Sequence, residues 1–177
     1  MSRIQPVRPE TASKTAELLD GVKKKLGMVP NLVSTMAHSP AVANAYLGFS
    51  QALAGGSLPA RLREQIALTV GQANECDYCL AAHCTLGKMA GLSAADVESA
   101  RRGTAEDDKS RVALAFARKL VSDRGRVTDA NVELVRQAGF SDGDINEIVA
   151  NVALNLFTNY FNHVAGTEID FPAAPKL

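Results

Sequence analysis

Glu64, Cys76, Cys79 and His83 are the residues whose types and spacing could do chemistry, in the stretch ARLREQIALTVGQANECDYCLAAH. On a helix the two cysteines and the histidine fall at i, i+3 and i+7, which gathers both thiols and the imidazole on one face within two turns. The thiolate is the reactive form of cysteine, and an ordinary thiol is mostly protonated at neutral pH. Two features act against that here. Cys76 sits at a predicted helix start, where exposed N–H groups favour an anion, and Cys79 stands four residues before His83. A peroxide attacked by one thiolate leaves a sulfenic acid, which the second thiol can condense with to form a disulfide. Helix-end electrostatics alone favour Cys76 as the more acidic thiol, whereas the nearby base favours Cys79.

Two elements must position these groups. Pro59 starts the helix carrying Glu64, with Leu62, Ile66, Val70 and Ala73 as its main apolar stripe. Glu64 lies beside Ala67, Leu68 and Gly71, so it is expected to be partly buried and to need a partner for its charge; Arg61 and Arg63 are structural alternatives to His83. Asn74-Glu75 is the predicted break, and the cysteine helix runs from about Cys76 to Ala90, closed by Gly91. Cys84 is read as a buried small hydrophobe and His38 as a solvated or capping residue.

Every strong pattern elsewhere is also helical, so the expected fold is all-α, one compact domain over 1–177 with about eight helices and short connections. The first helix is expected over Glu10 to Leu26, after an arm containing Pro6. Ser39-Pro40, Ser93 to Asp96, Thr128 and Ser141 are expected helix starts. The last helix, about 142–165, is unusual. From Ile148 to Thr167 it has no Asp, Glu, Lys or Arg, and Asn151, Asn155, Asn159 and Asn162 form a polar seam along it. Such a seam makes helix–helix hydrogen bonds or lines a cleft, with Asn159, Asn162 and His163 as possible neighbours of the thiols. Its remaining apolar sides suggest cover by a neighbouring subunit. Glu147 stands before Asn159 and Asn162 at the spacing with which Glu64 precedes Cys76 and Cys79, a weak internal echo. The tail Phe171 to Leu177 is expected to be an extended arm.

Lys+Arg and Asp+Glu number 19 each, so nothing in the global charge draws the chain to nucleic acid or acidic membranes. Lys23-Lys24-Lys25 reads as a solvated helix end. MSRIQPVRPE lacks an apolar run of signal-peptide length, and three cysteines do not make a disulfide scaffold; both point to a cytoplasmic, reducing setting.

Glu64, eleven residues, then Cys76-x-x-Cys79-x-x-x-His83, resembles the alkylhydroperoxidase D-like proteins of the carboxymuconolactone decarboxylase superfamily. The core of the resemblance covers about 40–125, and NYFNHVAGTEIDFP is similar to the ending of a peroxidase-related branch. The resemblance implies an all-helical homo-oligomer (dimer, trimer or hexamer) with peroxidase activity toward hydrogen peroxide or organic hydroperoxides. It implies Cys79 as the peroxidatic cysteine, Cys76 as the resolving one, and His83 with Glu64 as proton relay. The redox-active disulfide serves in place of a cofactor, and a thiol or lipoyl protein is the implied reductant. Well-known members carry a histidine between the cysteines where this chain has Tyr78, which does not titrate near neutrality. The competing readings are a decarboxylase-branch enzyme, a metal site built from Cys76, Cys79, His83 and Glu64, and a redox sensor without turnover. The decarboxylase branch does not depend on a cysteine pair, and structural zinc prefers a closed tetrahedral set.

Overall fold

Helix boundaries fall where local capping chemistry puts them. The computed structural model describes residues 2–7 and 14–177, without the side chains of residues 14, 25 and 26. Among these, the chain forms α1 (Lys14–Leu26), α2 (Asn31–Met36), α3 (Pro40–Ala54), α4 (Ala60–Ala73), α5 (Asp77–Met89), α6 (Ala94–Arg101), α7 (Asp108–Ser122), α8 (Asp129–Gln137) and α9 (Asp142–Ala165). The architecture is all-α, and no strand occurs among the described residues. Nine helices occur among the described residues, against the expected number of about eight. The expected start of the first helix at Glu10 lies outside the described residues.

Ser93, Thr128 and Ser141 each close a reciprocal capping box, with Asp96, Asn131 and Asp144 respectively. Ser39 occupies the N-cap position of α3 but makes no side-chain cap; Pro40 alone marks the start. Glu75, at φ 55°, turns the chain between α4 and α5 through the left-handed region.

α4 is the central helix and touches α5, α6, α7 and α9. Its Ile66, Leu68 and Val70 are completely buried, each worth roughly 1.5–3 kcal/mol of transfer free energy. Thr69 donates from Oγ1 to the Ala100 carbonyl at 2.7 Å and fixes α4 against α6. Cys84 belongs to this main core, with Leu80, Leu92, Leu114 and Ile148. Glu147 reaches across from α9 to the start of α4. Its carboxylate accepts from the Ser57 and Leu58 backbone N–H groups at 2.8 and 3.0 Å. The internal echo therefore has no functional parallel: Glu147 holds a helix entrance, not a histidine.

The termini lie on the same chain. Arg3 donates from Nη1 to the His163 carbonyl at 2.5 Å, at the C-terminal end of α9, and the His38 imidazole meets the Gln5 carbonyl at 2.9 Å. The tail also packs at home. Phe171 meets the Tyr78 ring edge-on at 5.9 Å, and the Pro175 carbonyl accepts from Arg101 at 2.5 Å. Lys23 and Lys24 are exposed. No helix among the described residues is long and apolar enough to cross a membrane.

Candidate active site

Cys76 is the N-cap of α5 rather than a residue within it, and its sulfur accepts from the Cys79 backbone N–H at 3.4 Å. This places the two sulfurs 2.7 Å apart as free thiols. Both are deeply buried, Cys76 at 1% exposure and Cys79 at 3%. Leu32, Met36, Ala43 and Ala82 pack around them, with Tyr46 and Phe161 at the margin.

The surroundings treat the two thiols differently. The Cys79 pKa falls to about 6. The hydrogen bond from the Cys76 thiol is the largest cause; burial opposes it, and the His83 charge with the Asn162 and Asn159 amides adds to it. Cys76 moves upward, because its proton is held against Cys79 and because it is buried. The helix-end argument for Cys76 is real but smaller than these effects: the Cys79 N–H does favour a Cys76 anion, and is outweighed.

Across the α4–α5 junction, His83 Nδ1 and Glu64 Oε2 are 2.8 Å apart, both half-buried. Burial works against the imidazolium, but the Glu64 carboxylate and the Cys79 sulfur prevail and raise the His83 pKa above 6.5. Nε2 has no protein partner among the described residues. His83 acts on Cys79 through its charge, with no direct hydrogen bond between them. The arginine alternatives for Glu64 are engaged elsewhere: Arg61 pairs with Asp96 at 2.8 Å, and Arg63 donates to the Leu58 carbonyl at 2.5 Å.

Glu64 and His83 line a cavity of about 180 Å³ between α3, α4, α5 and α9, together with Tyr46, Ser50, Asn151, Asn155 and Thr158. Tyr46 is the residue that sequence reasoning missed. Burial, then the charges of Cys79 and Glu64, push its phenol up to about 12, so it remains a neutral hydrogen-bond donor. Tyr46 and Ser50 stand at i and i+4 in an otherwise largely apolar helix, a small polar face that could have marked it.

The remaining expected neighbours divide. Asn162 donates from Nδ2 to the Cys79 sulfur at 3.2 Å. Asn159, fully buried, accepts from Asn74 at 2.9 Å. Asn151 and Asn155 bond back to carbonyls of their own helix. Tyr78 points its phenol away from the chemistry: its oxygen accepts from the Leu32 N–H at 3.1 Å and so caps α2. Burial is the main reason its pKa rises. His163 is exposed and stands outside the cluster. Among the described residues, no three His, Cys, Asp or Glu side chains converge to hold a metal ion.

The sequence profile of the carboxymuconolactone decarboxylase family matches residues 40–123. Several solved structures share the fold. A peroxidase-related protein from Ralstonia eutropha JMP134, described as an alkylhydroperoxidase AhpD core, is 27% identical over 94% of this chain and 93% of that one, with a TM-score of 0.84. A peroxidase-related protein from Silicibacter sp. TM1040 is 26% identical over 94% and 92%, with a TM-score of 0.81. The debrominase Bmp8, in complex with 2,3,4-tribromopyrrole, is 22% identical over 96% and 92%, also at 0.81. No curated protein matches the sequence.

Proposed function

Because the chain belongs to the carboxymuconolactone decarboxylase superfamily, with an AhpD-like fold, we propose that its thiol pair reduces hydrogen peroxide or organic hydroperoxides in antioxidant defence. The observation that carries this reading is the asymmetric pair: two adjacent sulfurs, one favoured as thiolate, beside a carboxylate-held histidine. The Cys79 thiolate attacks one peroxide oxygen and the O–O bond breaks. Its electron pair leaves with the alkoxide, which takes a proton from the His83 imidazolium. Cys79 is left as sulfenic acid. Cys76 then attacks the Cys79 sulfur, water leaves with the Cys76 proton, and a disulfide forms. Two electrons and two protons from a thiol or lipoyl reductant restore the pair. The same reading has the chain cytoplasmic and self-associating, without a nucleic-acid or membrane partner.

The test is peroxide turnover with dithiothreitol, a lipoyl donor and a thioredoxin-type donor, comparing wild type, Cys76→Ser and Cys79→Ser. The expected result is turnover by wild type only, with sulfenic acid trapped on Cys79 in the Cys76→Ser protein. Turnover by Cys79→Ser would falsify the assignment. Oxidation once, without turnover by any donor, would make the protein a sensor. Release of bromide from 2,3,4-tribromopyrrole without peroxide turnover would replace the reaction itself.

A further inference from the structure

The buried amides beside Cys79 obey a strict donor logic. Asn74 donates from Nδ2 both to the Val70 carbonyl at 3.1 Å and to Asn159 Oδ1 at 2.9 Å. A backbone carbonyl only accepts, so the Asn74 amide can face it in one orientation alone. Asn159 must therefore turn its oxygen to Asn74 and its NH2 group the other way. That NH2 group is fully buried and has no partner among the described residues. One turn along α9, Asn162 points its own NH2 group at the Cys79 sulfur at 3.2 Å, while its Oδ1 is buried and unpartnered. If Cys79 were a neutral thiol, the opposite orientation of Asn162 would suit it, with S–H donating to Oδ1. Asn162 presents a donor to the sulfur instead, and Asn159 holds an unspent donor one turn away, an arrangement that suits an anion.

We infer that Asn159 and Asn162 form a two-amide cradle for the anionic Cys79 sulfur, and that Asn74 is the positioning residue that fixes its polarity. The inference rests on Cys79 being the nucleophile of the proposed reaction. It gives the seam of α9 a purpose in its last two members: Asn151 and Asn155 satisfy themselves on their own helix, whereas Asn159 and Asn162 leave donors for the sulfur. Anionic sulfur, or the oxygen it carries after meeting peroxide, is the acceptor that completes the buried NH2 of Asn159. Both amides act on Cys79 in the direction of the thiolate.

The experiment measures the rate of Cys79 alkylation by iodoacetamide against pH in the reduced full chain, with the site mapped by mass spectrometry. The wild-type midpoint is expected near pH 6. Asn162→Leu, Asn159→Leu and Asn74→Ala should each move it upward, Asn162→Leu by about one unit, or tenfold less thiolate at acidic pH. Adding Asn74→Ala to Asn159→Leu should add nothing, since Asn74 acts through Asn159. Asn131→Ala, which removes part of the α8 cap, should lower the melting temperature and leave the midpoint in place. Unmoved midpoints in folded Asn159 and Asn162 variants would make the seam purely structural and overturn the cradle.

A readout without substitution guards against variants that fail to fold. In wild type, the side-chain amide resonances of Asn159 and Asn162 should titrate with the Cys79 midpoint, and in Cys79→Ser they should not. Static resonances across the Cys79 titration would overturn the cradle whatever the turnover. Titrating resonances without peroxide turnover would uphold the cradle and remove the peroxidase reading.

Discussion

With the Cys76 and Cys79 sulfurs 2.7 Å apart, one of the two thiol protons can be lost near neutrality while the other is shared between them, and the neighbouring groups decide which sulfur carries the charge. Cys79 is lowered to about 6, so its thiolate fraction grows as pH rises through that value. The His83 pKa is raised, so its proton is retained into the range where Cys79 is already ionised. Peroxide-dependent kcat/KM should therefore climb with a midpoint near pH 6 and fall again once the imidazolium deprotonates. Glu64→Gln removes the carboxylate that holds the imidazolium, so the alkaline limb should move to lower pH and the rate should drop by roughly 100-fold or more. An alkaline limb that stays where it is in Glu64→Gln would remove His83 from the role of acid. The Glu64, Cys76, Cys79 and His83 spacing was readable because those residues lie on consecutive helices, where sequence distance fixes spatial distance. Tyr46 arrives from α3, marked in the sequence only by the small polar face it shares with Ser50, and Tyr78 answers to α2, a relation that leaves no mark at local spacing.

The elements that present these residues depend on a few long-range ties. Glu147 of α9 holds the approach to α4 through the Ser57 and Leu58 N–H groups, and a Cβ on Gly56 would run into the same carboxylate. Glu147→Gln should cost about 1–2 kcal/mol after allowance for solvent exposure, and Gly56→Ala should cost a similar amount by displacing the carboxylate. The double variant should be little worse than either single one in urea denaturation, because both remove one tie. Strict additivity would show that Gly56 matters for another reason. Helix starts were the most legible features at this scale. Ser93, Thr128 and Ser141 announce their caps within four residues, whereas the Glu147 tie joins residues 90 apart and has no local signature.

At the scale of the molecule, the all-α class followed from helical periodicity along the chain, whereas the charge-free run in α9 belongs to a helix that this chain buries along one side only. Its uncovered side exposes Val149, Phe157, Tyr160 and Val164, an apolar stripe at i, i+8, i+11 and i+15. If copies of the chain meet there, Phe157→Asp with Val164→Asp should reduce the particle to a monomer in sedimentation while leaving the helical spectrum intact. A wild-type monomer at micromolar concentration would remove the stripe from that role. The expected extended arm of the tail packs on its own chain, with Phe171 against Tyr78 and the Pro175 carbonyl accepting from Arg101.

The depth of the two sulfurs has a consequence for traffic. The cavity reaches Glu64, His83 and Tyr46, whereas Cys76 and Cys79 lie behind them with almost no surface of their own. If the proposed reaction runs here, a small peroxide need only pass these side chains, whereas a thiol mounted on a folded carrier would have to thread a narrow arm past them. Under the proposed reaction such a site would be a sieve that admits oxidant and reductant on unequal terms. Oxidation would then outpace reduction, and the calibre of the electron donor would set the tempo of the cycle.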